Sequence, residues 1–112
     1  MKALDRLMDS LNDTSGAYVN AGEDEASHLQ RLREGIISGL CEPHLVHAIV
    51  MAPGLPGQAI GDSIEGVCLA RRQGYWLVYR EQDDQFYCFW GTSADSLGAH
   101  GVFGGPLYCW SA

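Results

Sequence analysis

Lysine is almost missing from this chain: none follows Lys2, and with the arginines the cations total seven against fourteen acidic residues, a formal charge of −7. That shortage argues against direct nucleic-acid binding, which relies on Lys and Arg displacing counterions from phosphates. An acidic field instead attracts basic partners. Long apolar runs are missing too. The longest nearly apolar stretch, residues 45–55, is far short of the roughly 20 residues of a membrane-spanning helix. Asp5 and Asp9 interrupt any apolar core of a signal peptide, so the chain is expected to stay in the cytoplasm. There is no CxxC motif, no repeat and no low-complexity tail. Cys41, Cys68, Cys88 and Cys109 are widely spread. In a reducing compartment they read as free, buried thiols rather than disulfides.

What is present suits one domain: 112 residues, 46% of them hydrophobic, enough for a single core. Residues 2–12 place Leu4, Leu7, Met8 and Leu11 on one helical face, and Asn12-Asp13-Thr14-Ser15-Gly16 supplies a turn. A second helix is predicted over 23–39. Ala26, Leu29, Leu32, Ile36 and Leu40 keep its period, while Glu23, Asp24 and Glu25 complement the dipole of its first turn. Gly39 is its natural stop and Pro43 blocks continuation. Residues 44–52 form an apolar run that fits either a buried strand or a short buried helix. Pro53-Gly54-Leu55-Pro56-Gly57 is a loop.

From Ile64 the period becomes two. Strands over 64–72 and 75–81 flank a hairpin turn at Gln73-Gly74. A third strand over 85–90 follows Gln82-Asp83-Asp84. Trp76, Val78 and Arg80 share one face, and Tyr75, Leu77 and Tyr79 the other. Thr92 or Ser93 can cap a helical turn through Leu97, residues 98–105 read as a glycine-rich loop, and 106–110 as a final strand opened by Pro106. The expectation is an α+β domain, two N-terminal helices packed on a three- to four-stranded antiparallel sheet. Closure of that sheet towards a barrel is the alternative.

Each catalytic pattern meets a structural objection. Cys41, His44 and His47 are zinc-type ligands, but Pro43 interrupts them and the fourth ligand would have to come from His100, Cys88 or Cys109. No stoichiometric metal and no cofactor are expected. Gly61-Asp62-Ser63-Ile64-Glu65-Gly66 lacks the strand-before, helix-after context of a nucleophile elbow. Pairing Cys88 or Cys109 with His100 has nothing in view to lower a thiol pKa. The glycine-rich stretch 98–105 has no phosphate-binding lysine. The aromatics offer more. Trp76, Trp90, Trp110, Tyr75, Tyr79, Tyr87, Tyr108, Phe86 and Phe89 crowd the last third of the chain, beside Glu81, Asp83, Asp84 and Asp95. Helices cover only one face of an open sheet. Aromatic anchors ringed by carboxylates would then form a protein-binding surface.

Gly74-Tyr75-Trp76-Leu77-Val78-Tyr79-Arg80-Glu81, followed by Phe86 and Phe89, resembles the sheet hairpin of several small bacterial immunity proteins that neutralise polymorphic or contact-dependent toxins. Gln82-Asp83-Asp84-Gln85 stands where an Arg-Gly turn often follows the Glu. The resemblance implies a non-enzymatic inhibitor of a basic protein such as a nuclease toxin. Trp76, Glu81, Asp83, Asp84, Trp90 and Asp95 are the expected contact residues, with no catalytic group. An accessory or chaperone-like module, and a small enzyme or ligand binder using 98–105, are the rival readings.

Overall fold

The computed structural model describes residues 2–11, 25–93 and 95–111. The 12–16 turn and the acids Glu23 and Asp24 lie outside the described residues. The elements run α1 (Lys2–Ser10), α2 (Glu25–Ser38), β1 (Leu40–Val50), β2 (Ser63–Arg72), β3 (Tyr75–Arg80), β4 (Gln85–Trp90), β5 (Leu97–Gly104) and α3 (Pro106–Ser111). The class is α+β, with five strands rather than three or four and a third helix among the described residues. The strands close into a barrel in chain order. Neighbours along this meander are antiparallel, so the first and fifth strands point the same way. Closure therefore uses a parallel pairing, Ala48↔Leu97, Ile49↔Gly98 and Val50↔Ala99.

Two buried clusters explain the pattern of the sequence. Val46, Ala48, Val50, Ile64, Cys68, Trp76, Val78, Tyr87, Phe89, Leu97 and Ala99 fill the barrel, with contributions from all five strands. On the outer face of β2–β4, Leu69, Ala70, Leu77, Tyr79, Phe86 and Cys88 pack against Ala3 and Leu7 of α1, Leu29, Leu32 and Ile36 of α2, and Leu107, Cys109 and Trp110 of α3. β3 and β4 are therefore buried on both faces, and each has four consecutive buried residues. The alternation read from the sequence holds: Trp76 and Val78 point into the barrel, Leu77 and Tyr79 towards the helices. Ala26 and Met8, assigned to helical core faces, are exposed.

The structure resolves one open alternative and corrects three local expectations. Of the run 44–52, left open between strand and helix, residues 44–50 lie in β1, with Val46, Ala48 and Val50 buried and the residues between them exposed, while 51 and 52 lead into the following turn. The predicted 98–105 loop is mostly β5. The predicted final strand is α3, whose first residue is Pro106, a position where the missing N–H costs nothing and the fixed φ suits a helix. Around Ser93 there is a turn rather than a helix: Ser96 N donates to Ser93 O at 3.0 Å, and β5 already begins at Leu97. Among the described residues no helix is long and apolar enough to cross a membrane.

Candidate functional site

The expected contact residues divide between the two ends of the β3–β4 hairpin. Tyr75 pairs with Trp90 at one end and Arg80 with Gln85 at the other. The ends are about 17 Å apart at ~3.3 Å per strand residue. Trp76, Trp90 and Asp95 sit near the first end, where Gly91 N donates to Gly74 O. Glu81, Asp83 and Asp84 form the turn at the second end. The tryptophans and the turn acids are therefore not brought together.

Nor is Trp76 an available anchor. It is 5% exposed, its Nε1 donates to Gly91 O at 3.0 Å, and the Arg71 guanidinium lies 5.1 Å from its ring centre. Trp90 is half-buried, edge-on to Tyr75 at 5.7 Å and to His100 at 5.4 Å. Asp95 is exposed, its backbone N donating to Ser93 Oγ.

The turn acids also hold the fold. Asp84 sits at φ 54°, in the left-handed region that Asp tolerates better than most residues. It accepts from Tyr79 Oη at 2.7 Å and Arg6 Nε at 2.9 Å, tying the turn to α1. Asp83 accepts from the Tyr87 hydroxyl, and from Arg80 Nη1 at 3.1 Å. The hydrogen bond to Asp84 is the main reason the Tyr79 phenol is pushed up to about 12. Burial, followed by the Asp83 hydrogen bond, pushes Tyr87 up to about 12.

Around this turn the exposed carboxylates converge. Asp5 and Asp9 of α1 join Glu81 and Asp84 in lining a groove of about 560 Å³, where Arg6, paired with Asp84, is the one cation beside four carboxylates among the described residues. Glu81 also borders a second groove of about 480 Å³, with Leu45, Glu65, Val67 and Arg80. The far end of the β2–β3 hairpin carries the opposite charge: Arg71 and Arg72 lie over Trp76, Tyr75 and Trp110. Carboxylates thus outnumber the paired Arg6 and Arg80 at the β3–β4 turn, whereas Arg71 and Arg72 mark the β2–β3 turn.

The exposed apolar side chains of β1, which sequence reasoning missed, are aliphatic. The helices cover the outer face of β2–β4, leaving the outer face of β1 uncovered among the described residues. Leu45 is 58% exposed and Ile49 47% exposed, and they flank His47, whose Nε2 meets Glu65 Oε2 at 2.7 Å. The signal was the alternation of Leu45, His47 and Ile49 with Val46, Ala48 and Val50, which identifies faces only once the run is known to be a strand.

The remaining chemical candidates also resolve. Asp62 closes a turn by accepting from Ala59 N at 2.9 Å, and Ser63 opens β2, so neither stands in a nucleophile elbow. The four cysteines are free. Burial pushes the Cys88 thiol up to about 12 and Cys109 well up, both against the helical layer. His100 packs on Trp90 instead. Of the Cys41–His47 motif, Cys41 and His44 meet Cys68, while His47 turns to Glu65. No family model matches the chain, and neither does any curated protein or solved structure compared with it.

Proposed function

We propose that this chain is a non-enzymatic protein-binding domain that docks a basic partner against the outer face of β1 and the adjoining acidic grooves. In the fuller form of this reading it is an immunity protein or inhibitor neutralising a cognate toxin such as a nuclease. Its carboxylates would stand in for the toxin's anionic substrate. The observation that carries the proposal is the exposure of Leu45 in a groove shared with Glu65 and Glu81, with Ile49 exposed on the same face of β1. Apolar anchors with a charged rim are the arrangement in which a few side chains supply most of the affinity while charge sets the approach rate. The net charge of −7 selects a basic partner.

The test is capture of the partner from the native host, followed by binding measurements with both proteins purified. Association should slow as salt rises, because screening falls to a Debye length of about 8 Å at physiological ionic strength. Leu45→Arg should weaken binding by about 2 kcal/mol, roughly 30-fold. Its urea midpoint should stay unchanged, since the side chain is exposed. Salt-independent association, together with unchanged binding by Leu45→Arg, would refute the proposal and favour the accessory-module reading.

A further inference from the structure

Between the pairs Leu40↔Ala70 and His44↔Cys68, β1 passes through residues 41–43 while β2 passes through Leu69 alone. Pro43 lies in this bulge; it has no N–H to contribute to a ladder, and bulges are where strands accept proline. In a regular strand, residues three apart point to opposite faces. Here the irregularity brings one ligand atom from each of Cys41, His44 and Cys68 within 4.8 Å of one another. Pro43, which in the sequence argued against alignment, is part of the feature that produces it.

The geometry of the three groups suits one kind of ligand. Two zinc–sulfur bonds of about 2.3 Å meeting at the tetrahedral angle put their sulfurs about 3.8 Å apart. Cys41 Sγ and Cys68 Sγ are 3.8 Å apart. His44 Nδ1 lies 2.8 Å from Glu42 O. A carbonyl oxygen only accepts, so Nδ1 carries the proton and the lone pair of the neutral ring is on Nε2. Metal-binding histidines are commonly held this way, one ring N–H donating to a backbone carbonyl while the other nitrogen ligates. The ring is also edge-on to Trp76, 6.4 Å between centres. Cys68 is buried in the barrel, Cys41 is half-buried and His44 is exposed, so the cluster opens from the barrel wall towards solvent.

We propose that Cys41, His44 and Cys68 form a zinc site at the β1 bulge, holding Zn²⁺ through two thiolates and one imidazole and leaving a fourth position for water or an exogenous ligand. Sulfur and imidazole donors select a soft or borderline ion over Mg²⁺ or Ca²⁺. Binding balances as Zn²⁺ plus two thiols and one neutral imidazole giving a neutral complex and two protons, which pass to solvent. The site is independent of the docking surface, because its evidence is the spacing of three ligands rather than exposed apolar or acidic groups.

The experiment uses the full chain, purified reduced and stripped with a chelator. It is titrated with Zn²⁺ against a chromophoric competitor and with Co²⁺ as a spectroscopic probe. The expected result is about one zinc per chain, about two protons released per zinc near neutral pH, and tetrahedral cobalt bands with thiolate charge transfer. His44→Ala, an exposed position safe for folding, should weaken zinc binding by about 100-fold. Cys41→Ser should reduce the thiolate charge-transfer band, while His47→Ala and His100→Ala leave affinity unchanged. Zinc binding indifferent to both His44→Ala and Cys41→Ser would overturn the proposal. So would failure to retain zinc against a micromolar competitor, or a Cys41–Cys68 disulfide in freshly purified protein.

Discussion

Gly66→Ala should destabilise the protein although Gly66 needs no unusual backbone conformation. The residue is buried in β2, opposite Val46 of β1. A β-carbon there would stand 2.5 Å from Val78 Cγ1 and 2.8 Å from Tyr79 O. At an unstrained position, Gly→Ala stabilises by about 0.4–1 kcal/mol through the unfolded state. Against that stands the cost of overpacking a filled core, about 1–3 kcal/mol. The Val78 methyl can turn only within a barrel already filled by Trp76, Tyr87 and Phe89. The Tyr79 carbonyl cannot turn at all without moving β3. The upper part of the cost range therefore applies, and the net loss should be about 1–2 kcal/mol, or roughly 5–15 °C in Tm for a domain of this size. Urea unfolding followed by tryptophan fluorescence would show a lower midpoint with an unchanged slope. Gly66→Ala/Val78→Ala separates the two contacts: no recovery relative to Val78→Ala alone would identify the carbonyl as the obstacle. A midpoint for Gly66→Ala equal to or above that of the parent would refute the close crossing of β2 and β3.

Asp84→Lys should cost about 1–2 kcal/mol in urea unfolding, because it removes the acceptor of Tyr79 and Arg6 and places Lys at a positive φ. Reversal of Asp83 and Asp84 together therefore tests folding as well as association. Glu65→Lys, which gives up only an exposed contact with His47, is the cleaner probe of steering, and should lower the on-rate with stability from urea unfolding within about 1 kcal/mol of the parent's. Stability should also fall in alkali. Tyr79, Tyr87 and Cys88 have folded-state values of about 12 against ordinary values of 10.0 and 9.0. Deprotonation thus favours the unfolded chain, and their contribution is full below pH 9 and lost as pH rises through 12. The urea midpoint should decline from pH 9 to 11, and Tyr79→Phe/Tyr87→Phe should flatten the part above pH 10. A constant midpoint over that interval would contradict the assignment.

Local chemistry determined several elements. Period two and the Gln73-Gly74 turn located β2, β3 and β4, and the strand over 85–90 has the bounds found for β4. Helical spacing located Leu7, Leu29, Leu32 and Ile36, all buried. Gly39 marks the end of α2, its N donating to Gly35 O at 3.0 Å. These signals survive because each depends on neighbours within one turn or one hairpin. Element type was less legible where the same residues satisfy two geometries. Residues 45–50 alternate exposed and buried only after β2 and β5 pair with them. Residues 106–110 become a helix because Leu107, Cys109 and Trp110 find the cluster under α2.

Tertiary structure alone decided the rest. Closure of five strands creates an inside and an outside, so β3 and β4 carry apolar residues on both faces without offering either to a partner. That removes Trp76 from the surface and leaves Leu45 and Ile49 on it. The bulge at Pro43 decides that Cys41 and His44 meet Cys68 rather than His47, His100, Cys88 or Cys109. Composition determined the charge of −7, but the pairing register determined where the carboxylates gather. The physical reason is common to these cases: periodicity along a chain records which side chains share a face, whereas burial and ligand geometry depend on what the folded chain places opposite that face.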